Sequence, residues 1–175
     1  VCDGALYKDK KVLIVGGGDS AMQDALFMKK FTRDITIVHI GNALTASYAS
    51  QKQIISDPTI NIIYQSTVTA IHGNGTQVIG ATITNVHTNE THETAVDVIF
   101  IAIGLIPNTN FLDNQLALDA WGYIQTTHHT QTSIPGVFAA GDVADYRYRQ
   151  AITAAASGCM ASLDAEHYLN SIDLK

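Results

Sequence analysis

Positive charge is scarce in this chain: ten Lys and Arg stand against sixteen Asp and Glu, a formal net charge of −6 over 175 residues. Without a basic cluster, the electrostatic footprint of a nucleic-acid or anionic-membrane binder is missing, and neither partner is expected. Charged residues of both signs reach only 15%, against ~25% in an ordinary soluble domain. Apolar residues nevertheless make up 46%, which argues against intrinsic disorder. Long apolar runs are missing as well. The longest nearly unbroken one, residues 98–106, falls far short of the ~20 residues of a membrane helix. No secretory leader is visible, although the chain opens at Val1 rather than at a Met. Cysteine is limited to Cys2 and Cys159, which excludes a disulfide scaffold and suits a reducing, cytoplasmic compartment. The length is ample for one ordinary domain or two small ones with a real core. No metal site is expected.

What is present reads as alternating strands and helices. Val12-Leu13-Ile14-Val15 is a short apolar run that stops at Gly16-Gly17-Gly18, as a buried parallel strand does when it meets a tight turn. Over residues 19–31 the apolar positions 21, 22, 25, 26, 28 and 31 recur with a helical period. Residues 35–40 form a second apolar strand, 48–55 a short helix closed by Asp57-Pro58, and 60–64 a third strand. The pattern then changes to β-rich runs at 67–71, 78–86 and 94–103. Gly73-Asn74-Gly75 and Thr88-Asn89-Glu90 separate them, and Asn-Gly is a strong hairpin signal. An antiparallel excursion thus replaces a crossover helix, and residues 98–103 return to the parallel sheet. Gly104-Leu105-Ile106-Pro107-Asn108 breaks the pattern and sets a domain boundary after residue 106. Beyond it come a turn-rich stretch, a strand at 136–140 and a helix over about 150–169.

Four places carry chemistry. Gly16-Gly17-Gly18-Asp19-Ser20-Ala21 is G-x-G-x-x-A between a strand and a helix, the context in which this pattern binds a dinucleotide. The glycines let the backbone approach a pyrophosphate, and the helix N-terminus favours its charge; the alternative is a merely structural turn. Specificity should be read at the end of the second strand, where an acid holds a ribose 2′-hydroxyl or arginine a 2′-phosphate. Here stand His39, Ile40, Gly41 and Asn42, with neither an acid nor an arginine; His39 is either a nucleotide contact or a packed strand-end residue. Cys2-Asp3-Gly4 puts a thiol beside a carboxylate, suited to thiol-disulfide exchange if it is more than an exposed terminal pair. Cys159, in an apolar helix, is expected to be a buried structural thiol. Finally, 136–142 reads as an apolar strand ending in Gly141-Asp142, followed by Arg149-Gln150-Ala151 opening a helix. An acid at a strand's carboxyl end and a positive helix terminus form a ligand-binding combination, though either alone would be an ordinary loop or cap.

Taken in order, these pieces resemble the low-molecular-weight thioredoxin reductases, FAD-dependent pyridine nucleotide-disulfide oxidoreductases. The resemblance runs over nearly the whole chain: Val1-Cys2-Asp3-Gly4, Gly16 to Ala21, Ala102-Ile103-Gly104 with Pro107-Asn108-Thr109, Thr130-Gln131-Thr132-Ser133, Gly136 to Val143, and Tyr148-Arg149-Gln150-Ala151 with Gly158-Cys159-Met160. It implies an α/β fold with a three-layer Rossmann-like pyridine-nucleotide domain carrying an antiparallel β excursion, residues 1–106. Residues 107–175 would be the C-terminal part of an FAD-binding domain whose N-terminal part is absent. In that family Cys2 would be the flavin-proximal member of a C-x-x-C-D pair and Asp3 the acid that exchanges its proton. Gly16, Gly18 and Ala21, with Asp19, Ser20, His39 and Gly104, would form the NADPH site; Gly141, Asp142, Arg149, Gln150 and Ala151 would face FAD.

The implied activity is thioredoxin-disulfide reduction, with electrons passing from NAD(P)H through FAD and a cysteine pair to thioredoxin or a similar small disulfide protein. The full-length protein would be a cytoplasmic homodimer, and the fragment alone inactive. Two alternatives remain: a flavin disulfide reductase drawing on another donor such as ferredoxin, and a nucleotide-binding module without redox activity. The chain departs from the family twice. The first cysteine of the pair and the FAD fingerprint are not in it, and the family's His-Arg-Arg with a further Arg is replaced by His39-Ile40-Gly41 and Thr45. NADPH is the family's donor, but NADH is expected to serve nearly as well here.

Overall fold

The computed structural model describes residues 4–173. The chain divides into two compact units, Val1–Gly104 and Leu105–Lys175. In the first, β1 (Val12–Val15), α1 (Asp19–Met28), β2 (Ile35–Val38), α2 (Tyr48–Ile55) and β3 (Ile60–Ile63) follow one another. Next come β4 (Ser66–Gly73), β5 (Val78–Asn85), β6 (Thr91–Thr94) and β7 (Val98–Ile101). A four-stranded parallel sheet runs β3-β2-β1-β7, and a separate three-stranded antiparallel sheet runs β4-β5-β6.

The pleat of β1 explains why the parallel strands are apolar on both faces. Val12 and Ile14 join Ala21, Met22, Ala25 and Met28 of α1 and Ile54 of α2 in one core. Leu13, one residue out of phase, joins Val38, Ala81, Ile83 and Val96 in a second core against the antiparallel sheet. The unit is therefore helices, parallel sheet and antiparallel sheet in three layers, the α/β arrangement the residue pattern calls for. Full burial of each Val, Leu, Ile or Met side chain among these contributes ~1.5–3 kcal/mol.

The turns are chemically specified. Asn74 Oδ1 accepts from the backbone amides of Thr76 and Gln77 and so closes the β4–β5 hairpin. Asn85 Oδ1 does the same for His87 and Thr88. The run expected as one strand over 94–103 is two strands in different sheets. Asp97 makes the switch: its carboxylate accepts from the Lys11 amide at 2.8 Å while its own amide donates to the Lys11 carbonyl at 2.9 Å. Helix α1 ends three residues earlier than its apolar period suggests. The amides of Phe31 and Thr32 both turn back to the Met28 carbonyl, and Thr32 Oγ1 donates to the Lys10 carbonyl.

The second unit is built mostly of turns around a small core of Leu116, Ile124 and Ala139, with Leu112, Leu118, Val143 and Ala144 packed on it. Its one long element is α3 (Ala151–Asp173). The strand expected at 136–140 does not form. A turn at Pro135 and Gly136, the latter at φ 81°, leaves a single bridge between Gln131 and Phe138. Cys159 is exposed, not buried. On α3 the half-buried stripe is Thr153, Ala154, Ser157, Ala161, Asp164, Ala165 and Tyr168, and Cys159 lies on the opposite face. Among the described residues no helix is long and apolar enough to cross a membrane.

Candidate functional site

The glycine turn between β1 and α1 opens onto a cleft of about 560 Å³, lined by Gly16, Gly17, Gly18, Asp19 and Ser20 and by the ends of four strands. Crowding sets the glycine at position 16. Gly16 lies at φ 142°, and a Cβ there would stand 2.2 Å from the Ala102 carbonyl oxygen beyond β7. Ala21, fully buried, would meet that Cβ at 3.3 Å, so a small residue on α1 is needed for helix and turn to approach. Gly18 is different: a Cβ there would find only Thr45 Oγ1, at 3.7 Å, which leaves the turn open on its outer side. Gly104, at φ 100° with open space around it, lines the same cleft with Ala102 and Ile103.

His39, immediately after β2, is buried beneath the turn. A Cβ on Gly17 would meet its Nδ1 at 2.3 Å, and one on Gly41 its Nε2 at 2.6 Å. Its Nε2–H donates to the Ala43 carbonyl at 2.9 Å, since a carbonyl can only accept. The ring thus pins the loop after β2 as well as flooring the cleft. That loop is tied down further by the amides of Thr45 and Ala46, both donating to the Gly17 carbonyl, and by Gln51 Nε2 donating to the Leu44 and Ala46 carbonyls. Asp19 does not stand alone at the head of α1. Its Oδ1 accepts from the Ser47 amide at 3.0 Å and from Ser50 Oγ at 3.2 Å, joining the start of α2 to α1. The Ser47 hydrogen bonds are the main reason its carboxyl is held below the usual range.

In the second unit, Asp142 and Arg149 line one cavity of about 460 Å³ together with Ile106, Pro107, Phe111 and Tyr123. Asp142 lies in a single 3₁₀ turn, Gly141–Val143, and the Gly141 amide donates to Ser157 Oγ of α3 at 2.9 Å. The loop before α3 is locked by Asp145, whose carboxylate accepts from the amides of Arg147, Tyr148 and Arg149. This holds Arg149 at φ 49°, just ahead of Ala151, the first residue of α3. The Gln150 side-chain amide donates to the Tyr148 carbonyl at 3.2 Å.

The structure therefore groups the expected residues in two places: Gly16, Gly18, Asp19, Ser20, Ala21, His39 and Gly104 in and around the first cleft, and Asp142 and Arg149 at the second cavity. Cys2 and Asp3 lie outside the described residues. Ile40, Thr45 and Ile103, read in the sequence as neighbours of the motif, also line the first cleft; sequence reasoning missed Ser66 and Thr67 there, and Asp145 and Ser157, which fix the second. Asp145 had a legible signal, an Asp ahead of a turn. Ser66 and Thr67 had none, because only the fold brings the start of β4 beside the end of β2, where the Ser66 amide donates to the His39 carbonyl.

A family profile described as pyridine nucleotide-disulphide oxidoreductase matches residues 2–158. The chain is 47% identical to mitochondrial thioredoxin reductase 1 of Arabidopsis thaliana, covering 98% of this chain and 47% of that protein. It is 46% identical to a thioredoxin reductase of Streptomyces clavuligerus, covering 98% and 53% respectively. Among solved structures, thioredoxin reductase from Streptococcus pyogenes superposes with a TM-score of 0.85 at 37% identity, over 97% of this chain and 55% of that one. The enzyme from Giardia duodenalis gives a TM-score of 0.78 at 38% identity, over 96% and 55%. The chain spans about half the length of the curated relatives it matches.

Proposed function

We propose, from the premise that this chain belongs to the pyridine nucleotide-disulphide oxidoreductase family, that it forms the nucleotide-binding and part of the flavin-binding machinery of a thioredoxin-disulfide reductase. The net reaction consumes one NAD(P)H and one proton and converts one protein disulfide to two thiols. The observation that carries this reading is the crowded glycine turn at Gly16, set between β1 and α1 and opening onto a cleft. An open rim at Gly18 and the N-terminus of α1 suit a pyrophosphate there.

Residues 1–106 are assigned to the pyridine nucleotide and 107–175 to FAD. Gly16, Gly18, Asp19, Ser20, Ala21, His39 and Gly104 shape the first site; Gly141, Asp142, Arg149, Gln150 and Ala151 serve the second. Bound together, the two cofactors supply hydride transfer and two-electron storage. Within the chain, Asp142 and Arg149 offer an acceptor and a cation at one cavity, and the first turn of α3 adds the positive end of a 23-residue helix. Cys2 is assigned as the thiol that passes the electron pair to the substrate disulfide, and Asp3 as the acid that holds the accompanying proton. The partner is thioredoxin or a similar small disulfide protein, met in a reducing cytoplasm by a full-length homodimer.

The test is made in the full-length protein by stopped-flow absorbance at the flavin band, with and without oxidised thioredoxin. Cys2→Ser should abolish disulfide reduction while leaving reduction of the flavin by nicotinamide nearly intact. Asp3→Asn should slow only the disulfide half-reaction, by ~10²- to 10⁴-fold for a general acid. Cys159→Ala should leave both halves unchanged. Thioredoxin turnover that survives Cys2→Ser, or is lost in Cys159→Ala, overturns the assignment.

A further inference from the structure

A ribose 2′-phosphate at the end of the second strand of such a sheet draws its strongest contacts from a guanidinium or ammonium, or from a run of backbone amides left free to point at it. The first kind is missing. No Lys or Arg occurs from His39 to Gln51, and the residue that follows β2 and its histidine is Ile40, 63% exposed on the rim of the cleft. Lys52, the first cation after β2, lies on α2 and is not among the residues lining the cleft. Of the side chains that do line it, the ionisable ones are Asp19 and His39.

The second kind is already engaged. The amides of Thr45 and Ala46 donate to the Gly17 carbonyl at 2.8 and 3.1 Å. The next amide, of Ser47 at the start of α2, donates to the Asp19 carboxylate. Three successive amides that lead into a helix are thus turned toward protein acceptors. The Asp19 carboxylate sits where the positive end of α2 would otherwise draw an anion. The Nε2–H of His39 is likewise given to a protein acceptor, the Ala43 carbonyl.

We infer that the first-unit cleft does not select for a 2′-phosphate, and that this protein takes NADH about as readily as NADPH, with Ile40 as the specificity position. The inference rests on the reading of the cleft as a pyridine-dinucleotide site, and the experiment separates the two. The 175-residue chain is titrated calorimetrically with NADH and NADPH, and in competition with 5′-ADP and 2′,5′-ADP, which differ only in the phosphate at issue.

The expected result is a NADPH-to-NADH affinity ratio below about tenfold, the smallest gain a charge-assisted phosphate contact gives, and the same for the two competitors. Ile40→Arg should then raise NADPH affinity about tenfold or more while leaving NADH nearly unchanged. A ratio above tenfold in the unmodified chain, by either pair of probes, overturns the inference and leaves the dinucleotide reading standing. A folded Ile40→Arg chain with an unchanged ratio overturns the placement of specificity at Ile40. Binding of none of the four probes overturns the dinucleotide reading itself. The ADP pair needs no variant, so the outcome is decided even if Ile40→Arg fails to fold.

Discussion

The two units treat apolar residues in opposite ways. In Val1–Gly104 they alternate between two cores, so that Leu13, Ile14, Met22, Ile37 and Ile83 are all fully enclosed by the unit's own layers. In Leu105–Lys175 the core cluster is Leu116, Ile124 and Ala139, with Tyr123 buried apart from it, and α3 leaves Ile152 at 78% exposure and Leu163 at 51%. The first unit's fold is explained by its own burial. The second unit's longest helix is held along its half-buried stripe by polar ties, Gly141 to Ser157 and Thr130 Oγ1 to the Asp164 carboxylate, beside the edge-on contact of Tyr168 with Phe138. The same apolar content thus yields a layered sandwich in one place and an amphipathic surface in the other, depending on whether the local topology supplies a second layer.

The largest effect that could break this contrast is in the cores. Ile37→Ala removes a fully buried side chain of β2 and should cost about 2–5 kcal/mol. Leu163→Ala removes a half-exposed one from a helix that favours alanine, and should stay within ~0.5 kcal/mol. Trp121 is the chain's one tryptophan and lies in the second unit, so its fluorescence follows that unit while far-UV circular dichroism sums both. In urea, Ile37→Ala should shift the dichroism transition and leave the Trp121 transition in place. Equal shifts in both signals would mean that the two units unfold as one.

Glycine sharpens the contrast at the next scale. Gly16→Ala places a Cβ 2.2 Å from a carbonyl oxygen at φ 142° and should destabilise the first unit by ~1–3 kcal/mol while weakening nucleotide binding at least about tenfold. Gly158, in the interior of α3 with no atom near its would-be Cβ, behaves oppositely: Gly158→Ala should stabilise this chain by ~0.5–1 kcal/mol. Thermal melts of both variants and a calorimetric NADH titration of the first are the measurements. A neutral Gly16→Ala would remove the physical basis for reading the turn as a phosphate cradle.

Legibility in the sequence follows the same division. Where an element is buried by its own neighbours, its period is in the chain: β1 and α2 run over the residues their patterns indicate, and the Asn74 hairpin forms where Asn-Gly stands. Where covering depends on what lies elsewhere, the period misleads. Cys159 stands among apolar neighbours on α3 yet is exposed, because no described residue of its own unit packs over that face. The 136–140 run is apolar enough for a strand, but Pro135 and Gly136 turn it before a ladder can extend past one bridge. The glycine motif was legible as chemistry. That Ser66 and Thr67 join it was not, since the start of β4 reaches the cleft through the Ser66 amide's bond to the His39 carbonyl at the end of β2, not through spacing along the chain.

The smallest expected difference between the units is in acid. Asp57 is held well below the usual carboxylate range, first by its hydrogen-bonded ion pair with Lys29 and then by the side chain and amide of Thr59. Asp19 is lowered by Ser47, and in the second unit Asp145 is lowered mainly by the Tyr148 amide. A carboxyl whose folded pKa lies below its unfolded value binds fewer protons when folded. Its stabilisation is therefore complete above the unfolded value and fades as pH falls through the folded one. Both units should weaken from about pH 5 to pH 2. The first should weaken more, because Asp57 is shifted furthest and Asp19 adds to it, while the partly buried Asp24, whose carboxyl burial pushes up, offsets a share of the loss. Asp57→Asn should flatten the dichroism-monitored dependence and leave the Trp121 one in place, and Asp145→Asn should flatten the shallower one followed by Trp121, reaching the dichroism only through that unit's share. Added salt should shrink the Lys29 share of the Asp57 effect and leave the Thr59 and Tyr148 hydrogen bonds largely unscreened. A Trp121 transition that steepened in acid more than the dichroism signal would reverse the ranking, and would place the more acid-sensitive ties in the turn-built unit rather than the layered one.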